Sequence, residues 1–404
     1  MLNLRNDFPI FRNTMNGKRL TYLDSGASAQ KPQIVIDSMN QAVGSNYANI
    51  HRGLYSYSQL ITQQFEAARA KVKGLINAKS ENEIIFTRNA TESINLVAQS
   101  WARNNLRAGD EVIISEMEHH ANIVPWQILR DQIGIELKII PITNNHELDL
   151  GIYKNLLSPK TKIVSIVHIS NSLGVVNDVS KISKIAKSFN PEIKVIVDGS
   201  QAVVHRLINI QDIGCDFYIF TGHKLYAPTG IGVLWGDYKI LENMPPYQGG
   251  GDMIDVVTFG KTTYQKPPAR FEAGTPAIIE AIGLGAAIDY VSNIGMDKIE
   301  KHEKSIYDYA MKELAQIDGL RFFGDVEDKV AIISFYADWA HPSDVAMILD
   351  QCGVAVRTGH HCCMPLMDRL GVDGTIRASI GCYNNKEDID IFVESLKKAR
   401  KMLS

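Results

Sequence analysis

Short apolar, β-branched runs alternate with longer amphipathic stretches through the first two thirds of the chain. The runs fall at 83–86, 111–114, 137–140, 163–167, 195–197, 217–220 and 232–235. Each is strand length rather than helix length, and polar or glycine positions follow it, which predicts strands. Helical periodicity is expected between them at 91–103, 122–133 and 178–189. Parallel strands need a crossover, usually a helix, so this alternation predicts an α/β core with a mostly parallel sheet over roughly 23–265.

The pattern then changes. A loop-rich stretch runs from Pro245-Pro246 through Gly249-Gly250-Gly251 to Lys266-Pro267-Pro268, and a helical region follows from about Pro276 to Ile317. These predict a hinge and a domain crossing. Beyond it come a strand at 330–335, a helix at 343–351, a loop at 357–365, a strand at 375–379 and a last helix from Lys386 whose lysines form a solvated face. The expected organisation is an N-terminal segment 1–22 packing with the small domain, a large domain 23–285, and a smaller α+β domain 286–404.

Composition narrows the function classes. A chain of 404 residues is too long for one ordinary core. With 45% hydrophobic residues, 22% charged and a net charge of -3, it is neither disordered nor a nucleic-acid binder, and a small-molecule substrate fits better. Residues 1–8 have no basic segment leading into an apolar one, and no stretch approaches the roughly 18 apolar residues of a bilayer span, so a cytoplasmic protein is expected. The five cysteines, at 215, 352, 362, 363 and 382, include no Cys-x-x-Cys pair. That argues against a disulfide framework and a zinc ribbon and predicts free thiols.

Ligands in open α/β sheets gather at the carboxyl ends of strands. Asp198 ends one run; it could keep a pyridine nitrogen protonated, although alone it reads better as a helix N-cap. Lys224 lies beyond the next run, where a desolvated amine could form a Schiff base. One βα step from Asp198 and flanked by glycine, it reads as functional rather than as a solvated loop lysine. The stretch 87–92 joins a strand to a helix whose first amides suit a phosphate, or it is a plain capping motif. In Glu118-His119-His120-Ala121-Asn122 a histidine could stack on a ring or relay a proton, or begin a helix. In 357–365, Arg357 and His360-His361 would favour a thiolate on Cys362 or Cys363, though a structural pair or a zinc site fits the same residues. Neighbours in an extended loop point apart, so only one of the two thiols faces a given site.

Tyr22-Leu23-Asp24-Ser25, Ala29-Gln30-Lys31-Pro32, His51-Arg52-Gly53, Glu118-His119-His120-Ala121-Asn122, Val197-Asp198-Gly199, Gly222-His223-Lys224, Phe271-Glu272-Ala273-Gly274-Thr275-Pro276 and Arg357-Thr358-Gly359-His360-His361-Cys362 follow one another in this order. The set resembles the SUF-type (group II) cysteine desulfurases of the class V aminotransferase fold over nearly the whole chain. That family also holds selenocysteine lyases, and its fold is the pyridoxal-phosphate-dependent transferase fold type I. The resemblance implies pyridoxal 5'-phosphate bound covalently by Lys224, with Asp198 at the pyridine nitrogen, His119 stacked on the ring and Gln201 at the phenolic oxygen. Phosphate contacts fall to Ala90, Thr91, Thr221, His223 and, from a partner subunit, Thr275, which implies a homodimer with shared active sites.

By the same resemblance Arg377 binds the carboxylate of L-cysteine, Asn171 lies beside the cofactor and substrate, and Arg357, His51 and Arg52 complete the substrate site. From its residues alone Arg377 reads as a surface arginine. Cys362 takes the nucleophile's place and no metal is implied. Sulfur would pass to an acceptor protein of the SufE or SufU kind for iron–sulfur cluster assembly. Two positions depart from the family: Cys363 replaces a small residue and opens the option of a spare thiol, and Arg88-Asn89-Ala90 replaces a Gly-Thr form. The alternatives are a selenocysteine lyase and, more distantly, a redox or metal-binding protein using His360, His361, Cys362 and Cys363 without a cofactor.

Overall fold

The structure is a computed structural model and describes residues 2–403. Its centre is a seven-stranded sheet in the spatial order Ile84–Thr87, Gly232–Gly236, Phe217–Thr221, Lys194–Asp198, Thr161–Val167, Glu111–Ser115, Glu136–Ile140. Gly232–Gly236 runs antiparallel to both neighbours, and the pairs from Phe217–Thr221 outward to Glu136–Ile140 are parallel. Successive side chains on a strand point to opposite faces. Ile113, Val164, Val197 and Phe220 accordingly enter one apolar cluster, while Val112, Ile114, Ile196 and Ile219 enter another. Burial on both faces explains why these strands read as continuous apolar runs.

Helices cover both faces. Ala90–Leu96 continues through a π-helical turn at Val97–Ala102 to Asn105, and Val124–Ile133 begins after a 3₁₀ turn at His120–Asn122. The helical region expected at 276–317 is two helices, Ile278–Ile294 and Met296–Leu314, bent by 76°. Gly295 makes the break, since its φ of 94° is open to glycine and strained for other residues. Among the described residues no single helix is long and apolar enough to cross a membrane.

The last part of the chain forms a four-stranded antiparallel sheet in the order Leu320–Phe323, Ile332–Ala337, Thr375–Ser379, Arg357–Gly359. Pro342–Gln351 and Lys386–Leu403 pack on it around an apolar cluster that includes Ile333, Phe335, Ile376 and Phe392. The strand expected at 330–335 starts two residues later because Val330 N–H donates to Gly174 O at 2.9 Å, tying it to the large sheet's loops. The loop expected at 357–365 opens as the edge strand Arg357–Gly359. The N-terminal residues bind back across the molecule: Arg5 and Arg19 both pair with buried Asp388, Thr21-Tyr22 runs parallel to Val354-Ala355, and Phe8 packs on Tyr226, Tyr290 and Tyr383.

Candidate active site

A cavity of about 230 Å³ opens at the carboxyl edge of the parallel strands, with walls from both sheets. Asp198, the last residue of its strand, is 5% exposed and accepts the Ser200 N–H on Oδ1 at 2.9 Å. Gly199 allows this turn, since a Cβ there would lie 2.2 Å from the Tyr218 ring. The next strand ends at Thr221 and leads to Lys224, whose pKa burial lowers and Arg377 lowers further, with Asp198 pulling the other way. Gln201 donates to Gly26 O at 2.8 Å and lines the same wall.

On one side the wall is the start of helix Ala90–Leu96. Asn89 caps it through Glu92 N–H at 2.9 Å, and Ala90 and Thr91 face the cavity. The antiparallel strand can pass beneath because Gly232 has no Cβ, which would lie 2.5 Å from the Asn89 backbone. Opposite stands His119. Burial, then Lys224, hold its pKa down to about 4, so the ring is neutral, and its Nδ1 accepts the Ala121 N–H. Glu118 anchors this turn from beneath the site. Fully buried, it accepts from Ser115 Oγ, Asn122 Nδ2 and Val167 N–H at 2.5, 2.7 and 3.0 Å, while burial pushes its pKa up to about 7.

The small sheet supplies the other wall. Arg377 is 2% exposed, against the surface position its sequence suggests. Its Nη1 donates to Asn171 O at 2.8 Å and its Nη2 to Asp24 Oδ1 at 3.2 Å; Asp24 also holds Arg357 at 3.0 Å. The Asn171 carboxamide faces the loop after Gly359, donating to His361 O at 2.8 Å and accepting from Cys363 Sγ at 3.2 Å. His361 is buried on Thr375 Oγ1, its pKa pushed down to about 3 by burial and by Arg377. Cys362 is exposed and lines the cavity; Cys363 is buried, which raises its thiol to about 12.

The residues singled out at 90, 91, 119, 171, 198, 201, 221, 223, 224, 357, 362 and 377 therefore share one cavity. Three others lie outside it in the single chain: His51 pairs with Glu66 at 3.0 Å, Arg52 with Asp252 at 3.1 Å, and Thr275 is exposed. Asp24, Glu118 and Ser200 received no role from the sequence, although all three sit inside or beside motifs quoted above. Their signal was a polar residue next to a chemically assigned one. Among the described residues no three His, Cys, Asp or Glu side chains group as a metal site would require.

The cavity suits pyridoxal phosphate on its own polar atoms. Thr221 Oγ1, Ser200 Oγ, Arg377 Nε and His361 Nδ1 are buried there without a hydrogen-bond partner, and buried polar groups are ordinarily satisfied. Thr221 lies with His223 and the Ala90-Thr91 helix start, a set of donors that favours an anion. Arg377 Nε is free for a carboxylate. Lys224 and Asp198 face the space between.

Known proteins are similar to this chain over nearly its whole length. A "Cysteine desulfurase" of Yersinia pestis (strain Pestoides F) is 47% identical over 401 residues, covering 99% of this chain and 98% of that protein. One from Serratia proteamaculans (strain 568) is 46% identical over the same length. Among solved structures, the cysteine desulfurase CsdA from Escherichia coli superposes with a TM-score of 0.93 at 37% identity, covering 100% of both chains. The apo cysteine desulfurase from Thermococcus onnurineus NA1 gives 0.93 at 34% identity, covering 99% of this chain and 98% of the other. The aminotransferase class-V model matches residues 21–392, and the chain belongs to that family of pyridoxal-phosphate enzymes.

Proposed function

We propose that this chain is a cysteine desulfurase of the SUF type, converting L-cysteine to L-alanine and keeping the sulfur as a persulfide on Cys362. One observation carries the reading: an exposed thiol, Cys362, shares a cavity with Lys224, Asp198 and buried Arg377. Lys224 would hold the cofactor covalently, with Asp198 at its ring nitrogen, His119 against its ring, Gln201 at its phenolic oxygen and Thr221, His223 and the Ala90-Thr91 amides at its phosphate. When bound, pyridoxal phosphate supplies an electron sink for the carbanion at the substrate Cα.

Arg377 orients the substrate by its carboxylate, beside Asn171 and Arg357. Lys224 Nζ would take the Cα proton; its lowered pKa keeps the neutral base accessible. The Cys362 thiolate attacks the substrate sulfur, an S–S bond forms as the Cβ–S bond breaks, and the remaining three-carbon fragment is protonated and leaves as alanine. Neutral His119 is placed to pass a proton near this step. The names of the relatives favour sulfur over selenium as the substrate element.

The exposed position of Cys362 supports onward transfer to an acceptor protein of the SufE or SufU kind, feeding iron–sulfur cluster assembly. A homodimer is supported by exposed apolar residues around His51 and Arg52: Tyr47, Leu54, Tyr55 and Tyr57 are 60%, 95%, 55% and 55% exposed. There the partner would complete each site with Thr275, His51 and Arg52. We read the chain as three units, 1–22, 23–285 and 286–404, supported by the separate apolar cluster of the small sheet, and as cytoplasmic.

The test uses purified holoenzyme and two variants. Wild type is expected to show a visible cofactor absorption band and to form alanine from L-cysteine. Cys362→Ala keeps the band and loses alanine formation, while Lys224→Ala loses both the native band and the activity. Near-normal sulfide release by Cys362→Ala, or a colourless wild-type protein that takes up no pyridoxal phosphate, contradicts the reading.

A further inference from the structure

Two consecutive residues of the nucleophile loop, His361 and Cys362, have φ of 50° and 57°. Left-handed backbone is unfavourable for residues with a Cβ, and it persists where the surroundings over-determine it. Cys363, which precedes helix Met364–Leu370, makes no side-chain cap, so the first amide of that helix has no partner within it.

That partner comes from the other domain. The backbone N–H of His120 donates to Cys362 O at 2.7 Å, and the His120 ring Nε2 accepts the Met364 N–H at 3.0 Å. One residue thus grips the chain on both sides of Cys363. His360 adds a third contact from within the loop: its Nδ1 accepts the Cys362 N–H at 3.1 Å, and its ring lies 5.5 Å from that of His120. His120 can accept at Nε2 only as the neutral ring, and burial followed by the nearness of His360 lowers its pKa. His119 lines the cavity and His120, the next residue, does not.

We propose that His120 is a positioning residue for Cys362, pinning the loop in its left-handed form so that the thiol stays at the cavity mouth. The proposal rests on Cys362 being the sulfur acceptor. Because His119 and His120 are adjacent on a turn anchored by Glu118, the wall of the cofactor cavity and the nucleophile loop are set by one rigid element. The acceptor on the ring is separable from the backbone donor, which a side-chain substitution leaves in place.

The holoenzyme variants His120→Ala and His120→Gln test this, since glutamine returns a carbonyl acceptor near the ring nitrogen's position. For His120→Ala, amide hydrogen exchange across 361–364 is expected to rise, and kcat for alanine formation to fall about tenfold with KM changed by less than about twofold. His120→Gln is expected to restore most of both, with the cofactor band unchanged in either variant. If the alanine variant does not fold, His120→Asn, whose amide is too short to reach Met364, is expected to give the same loss. Wild-type exchange and kcat in His120→Ala, or a glutamine variant that recovers kcat without exchange protection, would overturn the proposal. If wild type forms no persulfide on Cys362, the desulfurase reading fails, while the exchange comparison still decides whether His120 holds the loop.

Discussion

Cys362 and Cys363 are chemically identical and one peptide bond apart, yet their surroundings give them opposite properties. Sulfur chemistry needs a thiolate. The Cys363 thiol is buried, raised to about 12 and engaged with Asn171, so it holds almost no thiolate near neutral pH, whereas Cys362 is exposed at the cavity. The spare-thiol role that Cys363's identity suggests therefore has little support in its setting. Arg377 is a second residue whose setting defines it, since both Nη groups are committed to Asn171 O and Asp24 while Nε is free. Arg377→Lys keeps the charge and loses the fork, so KM for L-cysteine is expected to rise about tenfold or more while the cofactor band persists. Steady-state kinetics check this, and an unchanged KM would remove Arg377 from the substrate site.

The elements were legible in the sequence where burial on both faces made them uniform. Glu111–Ser115, Phe217–Thr221 and Gly232–Gly236 are buried throughout, and each reads as an apolar run. Leu320–Phe323 was not legible, because an alternating, half-exposed Leu-Arg-Phe-Phe becomes a strand only by pairing with Ile332–Ala337. The same reason hid the depth of Arg377. Its burial depends on Asp24, 353 positions away, and on the N-terminal segment crossing to the small sheet. Strand-end placement made Lys224 and Asp198 readable from the residues themselves, while choosing Cys362 over Cys363 required the family resemblance. His120 had no readable role, since its hydrogen bonds reach a loop more than two hundred residues later.

At the scale of the whole molecule, two sheets close on a cavity that keeps its imidazoles neutral. His119 and His223 are held down to about 4 and His361 to about 3, with burial the leading cause in each; His168, outside the cavity against the Tyr218 hydroxyl, is likewise held to about 4 by burial. A histidine whose folded pKa lies below its unfolded value near 6.5 binds its proton more readily in the unfolded chain. The stability from these groups is therefore complete above about pH 6.5 and is lost as pH falls towards 4. Thermal melts of the holoenzyme are expected to be nearly level from about pH 8 to 7 and to drop steadily below about 6.5. A melting temperature that rises on acidification through this window would contradict the assignment.

The central claim is that one cavity joins the cofactor lysine, the carboxylate-binding arginine and a single sulfur-accepting cysteine. Peptide mass spectrometry of the holoenzyme after one turnover with L-cysteine, without an acceptor or reductant, tests it most directly. The account predicts one added sulfur on Cys362, none on Cys363, and one alanine released for each persulfide formed. A persulfide on Cys363, or alanine released with no sulfur on either cysteine, would contradict it.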